Sequence, residues 1–192
     1  MPRPEVFDRA DVIQKVQAVF WDKGYNGTSM QDLVDATGLN RSSIYNSFGS
    51  KHELFMLSLQ QYQDQNMKNI DKMVVDLLSP IDVLKQLFKG AAQGACDSEN
   101  KGCMLVNCAT ELANQESSVQ HWLAGSNAKM HAKFKELLDA AKDAGQVSKE
   151  SDSVLLAHYL LMSLQGLRVN GMTNQDPQLL NQLVGQIFKN IN

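Results

Sequence analysis

The chain has 192 residues, 43% hydrophobic and 20% charged, a composition that predicts a packed globular protein and excludes a disordered or fibrous one. Its formal net charge is −3, so any nucleic-acid contact must come from a local patch rather than from the field of the whole molecule. The opening MPRPEVFDRADV places acids and prolines where a signal peptide needs an apolar run, and no stretch approaches the ~18 apolar residues of a membrane span. A cytoplasmic protein without a membrane partner is expected.

Apolar residues recur at helical spacing from the start: Val12, Ile13, Val16, Val19 and Phe20, then Met30, Leu33 and Val34. Thr28 with Gln31 and Ser50 with Glu53 have capping-box spacing, which predicts two helix starts. Gly24 and Gly27 break the first helix, Gly38 closes the second, and Asn40 caps a short third that runs to about Phe48. A fourth helix runs from Lys51 toward Leu78 without Pro or Gly, until Ser79-Pro80 stops it. Further helices are expected near 81–95, 103–113, 117–143, 151–170 and 177–190. No long alternating stretch suggests a sheet, so the fold class is all-α.

Residues Thr28 to Phe48, TSMQDLVDATGLNRSSIYNSF, have the layout of a helix-turn-helix: a capped helix, a turn at Gly38, then a short second helix. Met30, Leu33, Val34, Leu39, Ile44 and Phe48 can pack inward. Asn40, Arg41, Ser42, Ser43, Tyr45 and Asn46 remain outward, a hydrogen-bonding surface without an acid, which suits a major groove. Arg41 could serve bases or phosphates. Tyr45, Ser43 and Lys51 suit phosphates, and the helix start at Thr28 and Ser29 offers a further anion site.

Several spacings across Phe20 to Leu54 agree with one known family. Phe20, Gly24, Tyr25, Gly27, Thr28 and Ser29 are followed by Gly38, by Tyr45-Asn46-Ser47-Phe48 and by Ser50-Lys51-His52-Glu53-Leu54. This stretch, about a quarter of the chain, resembles the TetR family of one-component regulators in its AcrR-like form. The resemblance implies DNA contacts at Thr28, Arg41, Ser43, Tyr45, Asn46 and Lys51, with Ile44 and Phe48 in the core. Asn40-Arg41-Ser42-Ser43 stands where many members have Ser-Lys-Gly-Thr, so the operator sequence cannot be borrowed from a relative.

The same resemblance implies a three-helix DNA-binding domain over residues 1–52, joined by the long fourth helix to an effector-binding and dimerisation bundle over 53–192. Leu155, Leu156, Tyr159, Leu160, Met162, Leu164 and Leu167 make a helix too apolar for a single buried stripe. With Leu179, Leu180, Leu183, Ile187 and Phe188 it suits a homodimer through the helices near 151–170 and 177–190, which would read a near-palindromic duplex operator with two recognition helices about 34 Å apart. In KGCMLVNCATELA, which resembles a Gly-Cys-x-x-x-Asn stretch in a subset of such regulators, Cys103, Asn107 and Glu111 share a helical face. With Met104, Trp122, His158 and Gln165 they are candidates to line a pocket for a small-molecule effector.

The three cysteines, Cys96, Cys103 and Cys108, are an odd count without a secretory signal and are expected to be reduced. Neither CxxC nor HxxxH lies near them, and His52, His121, His131 and His158 are dispersed, so no metal or cofactor is called for. Cys103 or Cys108 at a helix start could instead sense electrophiles or oxidants. No phosphate-cradling loop, nucleophile elbow or spaced acid–base pair points to an enzyme. The expected function is a sequence-specific repressor released by a small molecule, with the long fourth helix as lever; a thiol sensor and a helical protein–protein adaptor are the alternatives.

Overall fold

The computed structural model describes residues 7–76, 79–97 and 101–191. Among them the regular structure is helical throughout: α1 (Arg9–Gly27), α2 (Met30–Thr37), α3 (Arg41–Phe48), α4 (Lys51–Asp76), α5 (Pro80–Ala95), α6 (Met104–Leu112), α7 (Ser117–Asp143), α8 (Ser153–Asn170) and α9 (Pro177–Lys189). The helix expected to continue toward Leu78 reaches Asp76, and positions 77 and 78 lie outside the described residues.

Helix ends follow local chemistry. Asp8 caps α1 by accepting from the Ala10 N–H, Asn40 caps α3 by accepting from Ser43 at 2.8 Å, and Asp152 and Asp176 cap α8 and α9. Prolines stand at the starts of α5 and α9, where their missing N–H costs no helical bond. Ser50 and Glu53 form the reciprocal box ahead of α4: Ser50 N donates to Glu53 Oε2 at 2.7 Å and Glu53 N donates to Ser50 Oγ at 3.1 Å. Those Ser50 donors hold the Glu53 carboxyl below its usual range.

The box expected at Thr28 and Gln31 is corrected by one position. Ser29 caps α2, with Asp32 as its reciprocal partner, while the buried Thr28 hydroxyl donates back to Gly24 O at 2.6 Å. Thr28 is drawn there because α1 kinks at Gly24, whose φ of +72° exposes a carbonyl to the chain four residues on.

Two apolar clusters form the interior. One joins α1 to α3 and the first half of α4 through Val16, Phe20, Leu33, Ile44 and Phe55, and it also takes in Cys103, Met104, Cys108 and Leu112 of the α6 region and Val119 and Leu123 of α7. The other unites the end of α4 with α5, the rest of α7, α8 and α9 around Leu84, Phe88, Phe134 and Leu160. Leu33 and Ile44 are wholly buried, each contributing about 1.5–3 kcal/mol toward holding α2 and α3 in register. Apolar packing thus crosses residue 52: α6 seats its buried face on the N-terminal helices.

Candidate nucleic-acid interface and effector cavity

Burial sorts α3 into two faces. Ile44 and Phe48 are buried, while Arg41, Ser42, Tyr45 and Asn46 are exposed and Ser43 is half-buried. The exposed face carries one cation, hydroxyls and an amide, the groups that meet phosphates and base edges. Arg41 Nη2 donates to Gln31 Oε1 at 3.3 Å, and Gln31 Nε2 in turn donates to Asp35 Oδ1 at 2.8 Å. Gln31 therefore orients the arginine from α2, a role the sequence reading did not give it.

Other expected DNA contacts are engaged within the fold. Lys51 Nζ donates to Tyr25 O and Thr28 O, both at 2.9 Å, and lies 4.2 Å from the Tyr25 ring centroid. It ties α4 to the end of α1. Ser29 is committed to Asp32, Asn40 to the α3 cap, and the side chain of Thr28 is buried.

Glu111, expected in a pocket, instead reaches from α6 to the N-terminal helices. Its carboxylate accepts from Tyr25 N at 2.9 Å and Asn26 N at 2.7 Å, just past the Gly24 kink. Nearby, Lys101 pairs with Asp22 at 3.0 Å, His52 Nε2 lies 2.9 Å from Glu116 Oε2, and Trp21 meets Tyr62 edge-on with centroids 5.1 Å apart. These contacts fix the orientation of α1 against the larger bundle.

A cavity of about 580 Å³ opens between α1, α4, α5, α7 and α8. Its wall includes Ile70, Met73, Leu87, Ala91, Met130 and Leu164, with Tyr62, Asn66, Arg168 and Trp21 as polar-tipped members. Burial pushes the Tyr62 hydroxyl up to about 12, helped by Cys103, so it stays protonated as a donor at neutral pH. That volume and mixture suit a small organic molecule.

The profile of bacterial regulatory proteins of the tetR family matches residues 17–56, and that of the tetracyclin repressor-like C-terminal domain matches residues 80–187. The chain belongs to the TetR family. As such it is a DNA-binding transcriptional regulator. The HTH-type transcriptional repressor ComR of Escherichia coli (strain K12) is 27% identical over 189 residues, covering 97% of this chain and 90% of that protein. The HTH-type transcriptional repressor DhaR of Mycobacterium sp. (strain GP1) is 25% identical, covering 94% of this chain and 90% of that protein. A cysteine mutant of the TetR family transcriptional regulator CifR, solved with 26-bp double-strand operator DNA, superposes with a TM-score of 0.85 at 25% identity, covering 97% of this chain and 98% of that one.

In this TetR-family chain the seven expected pocket residues do not converge. Cys103 and Gln165 border a small gap of about 30 Å³ that shares Asn66, Met130, Leu164 and Arg168 with the larger cavity. Met104 is buried and Trp122 partly buried in the N-terminal cluster, and Asn107 Nδ2 donates to Lys101 O at 2.9 Å. His158 lines a separate cleft of about 650 Å³ with His131, Leu155, Tyr159 and Met162, and Gln165 reaches this cleft too. Leu155 and Met162 are each 66% exposed in the single chain, an apolar face that a second subunit would cover. Arg168 carried a signal that the sequence reading passed over, since it is the one Arg or Lys of SVLLAHYLLMSLQGLRVN, whereas nothing in the sequence singled out Trp21.

Proposed function

We propose that this regulator is a cytoplasmic, non-enzymatic repressor that grips a near-palindromic operator as a homodimer through α8 and α9 and lets go when a small molecule fills the cavity beside α1. In this reading residues 1–52 serve DNA and 53–192 serve the effector and the partner subunit. The observation that carries it is the acid-free exposed face of α3, with Arg41 oriented by Gln31 and Tyr45 half exposed, on a helix anchored by Ile44 and Phe48. Operator-bound CifR and the repressors ComR and DhaR support the same role.

Release follows from a population shift: an effector that prefers a dimer with misplaced recognition helices weakens operator binding by the coupling energy, about 1–3 kcal/mol. A gel shift on the DNA immediately upstream of the protein's own gene tests the reading. Arg41→Ala and Tyr45→Ala should each abolish the specific shift while helicity and dimerisation persist. Retained operator affinity in both variants would overturn this placement of the reading surface.

A second reading, a thiol sensor, is favoured by Cys103. Its buried sulfur lies at the start of α6 with Arg168 Nη1 at 3.4 Å and the Tyr62 hydroxyl at 3.8 Å, so a cation and a hydroxyl donor face the thiol. Burial pushes the Cys108 thiol up to about 12, with the charges of Glu111 and Glu116 adding to it, so Cys108 stays an unreactive thiol. Mass spectrometry after mild alkylation tests it: in this reading Cys103 is modified and operator binding is lost with it, and an unmodified Cys103 removes the reading.

A further inference from the structure

We propose that the cavity beside α1 takes an organic anion, a carboxylate on a mainly apolar body, with its acid group on the Arg168 guanidinium and next to the Trp21 indole N–H. The inference rests on the reading of this cavity as the effector site, and it names the chemistry of what enters.

Arg168 is half-buried and lines the cavity, yet its described partner is a sulfur, Cys103 Sγ, and no carboxylate pairs with it among the described residues. A cation withdrawn from water normally has an anionic partner, and a guanidinium presents five N–H donors in a planar fork matched to a carboxylate. One donor directed at a sulfur leaves most of that fork unused. Trp21 lines the same cavity, and its Nε1 is buried with no acceptor among the described residues, so a shift of the ring on binding would give that donor an acceptor. Indole nitrogen only donates, and when buried it ordinarily finds an acceptor.

The other charged residues of the wall are Lys101 and Asp97. Lys101 is paired with Asp22 at 3.0 Å, and Asp97 is exposed. Ile70, Met73, Leu87, Met130 and Leu164 supply an apolar stretch for a ligand's hydrocarbon body, beside the polar Tyr62, Asn66 and Asn69. A guanidinium without a carboxylate partner in a wall that also carries hydrocarbon fits an amphipathic acid. Because Trp21 belongs to α1 and Arg168 to α8, one carboxylate would bridge the DNA-reading helices to the bundle.

The test pairs acids with their own amides. Octanoate and 4-phenylbutanoate, each against its primary amide, are titrated into the purified full-length dimer by calorimetry, with Trp fluorescence as a second readout. Each acid should bind at least tenfold more tightly than its amide. Arg168→Gln should erase that preference while leaving amide binding unchanged, Arg168→Lys should keep part of it, and Trp21→Phe should weaken the acid more than the amide. Equal binding of acid and amide, absence of acid binding at millimolar concentration, or a preference that survives in a folded Arg168→Gln protein would each overturn the proposal. The wild-type acid–amide comparison decides the matter even if Arg168→Gln fails to fold. A gel shift separates the two levels: an acid bound by calorimetry that leaves the operator complex intact upholds the anion site and sinks the effector reading.

Discussion

Removing the Glu111 carboxylate should loosen the DNA-reading helices from the bundle without unfolding either. In Glu111→Ala the N–H groups of Tyr25 and Asn26 lose an acceptor they reach at 2.9 and 2.7 Å. A hydrogen bond to a charged group contributes about 1.5–3 kcal/mol, but water can replace the acceptor at the exposed Asn26, so the net loss is about 2 kcal/mol. For a chain of 192 residues that lowers the melting temperature by roughly 4–8 °C. Operator affinity should fall by roughly tenfold, since two headpieces free to tilt fit two half-sites less often. Gly24 sharpens the test: a Cβ there would lie 2.9 Å from Glu111 Oε2, on a backbone with φ of +72°. Gly24→Ala should cost ~1–2 kcal/mol from the backbone alone and more from the clash. In the double variant the clash disappears and the backbone strain stays, so the two losses should sum to more than the measured total. Glu111→Ala melting and binding operator like the wild type, with additive behaviour in the cycle, would refute the grip of Glu111 on α1.

Three further outcomes follow from separate parts of the structure. Leu155→Glu with Met162→Glu places charges on the exposed face of α8, so sedimentation should show a folded monomer that no longer shifts operator DNA; a persisting dimer would move the interface elsewhere. Burial lowers the His131 pKa and the charge of His158, whose ring centroid is 3.8 Å away, lowers it further. The unfolded chain then takes up a proton near pH ~6.5 that folded His131 resists, so stability is full above that pH and is lost as pH falls toward the depressed folded value. Thermal melts between about pH 8 and about pH 5 should show this loss, with a shallower slope in His158→Gln. Lys51→Met should destabilise the N-terminal helices by ~1–3 kcal/mol, read by denaturant titration, because Tyr25 O and Thr28 O lose a shared charged donor.

The helices were legible in the sequence because their ends are written in residues with local effect. Gly38 takes the left-handed conformation that ends α2, Asn40 and Ser50 satisfy the donors that follow them, and Pro80 and Pro177 open their helices at a position where they fit. Thr28 and Ser29 show the limit of such reading: both can cap, and the choice between them depends on the free Gly24 carbonyl that the kink creates. The pocket was harder to read for a related reason. Spacing correctly groups Cys103, Asn107 and Glu111 along α6, but it cannot say which neighbour that helix meets. α6 packs on the N-terminal helices, so Glu111 found two backbone N–H groups of α1 rather than a ligand. The lone arginine in the apolar run of α8 was the better sequence pointer to a cavity, because a cation placed among leucines must be met by something.

The sequence made α4 the natural lever, since it is long and joins the two roles. The structure supplies a shorter route. α1 forms part of the cavity wall at Ala18 and Trp21, is paired to the bundle through Asp22, and is held by Glu111 at Tyr25 and Asn26, all within the stretch that leads into α2. Lys51 then fastens α4 to the same backbone, at Tyr25 and Thr28. A molecule that displaces Trp21 therefore strains contacts on the segment from which α2 and α3 hang, while α4 receives the push both through the Trp21–Tyr62 edge and through Lys51. In the proposed repressor, a displacement at that end of α1 would be carried toward α3, because interiors packed this closely yield in concert rather than locally.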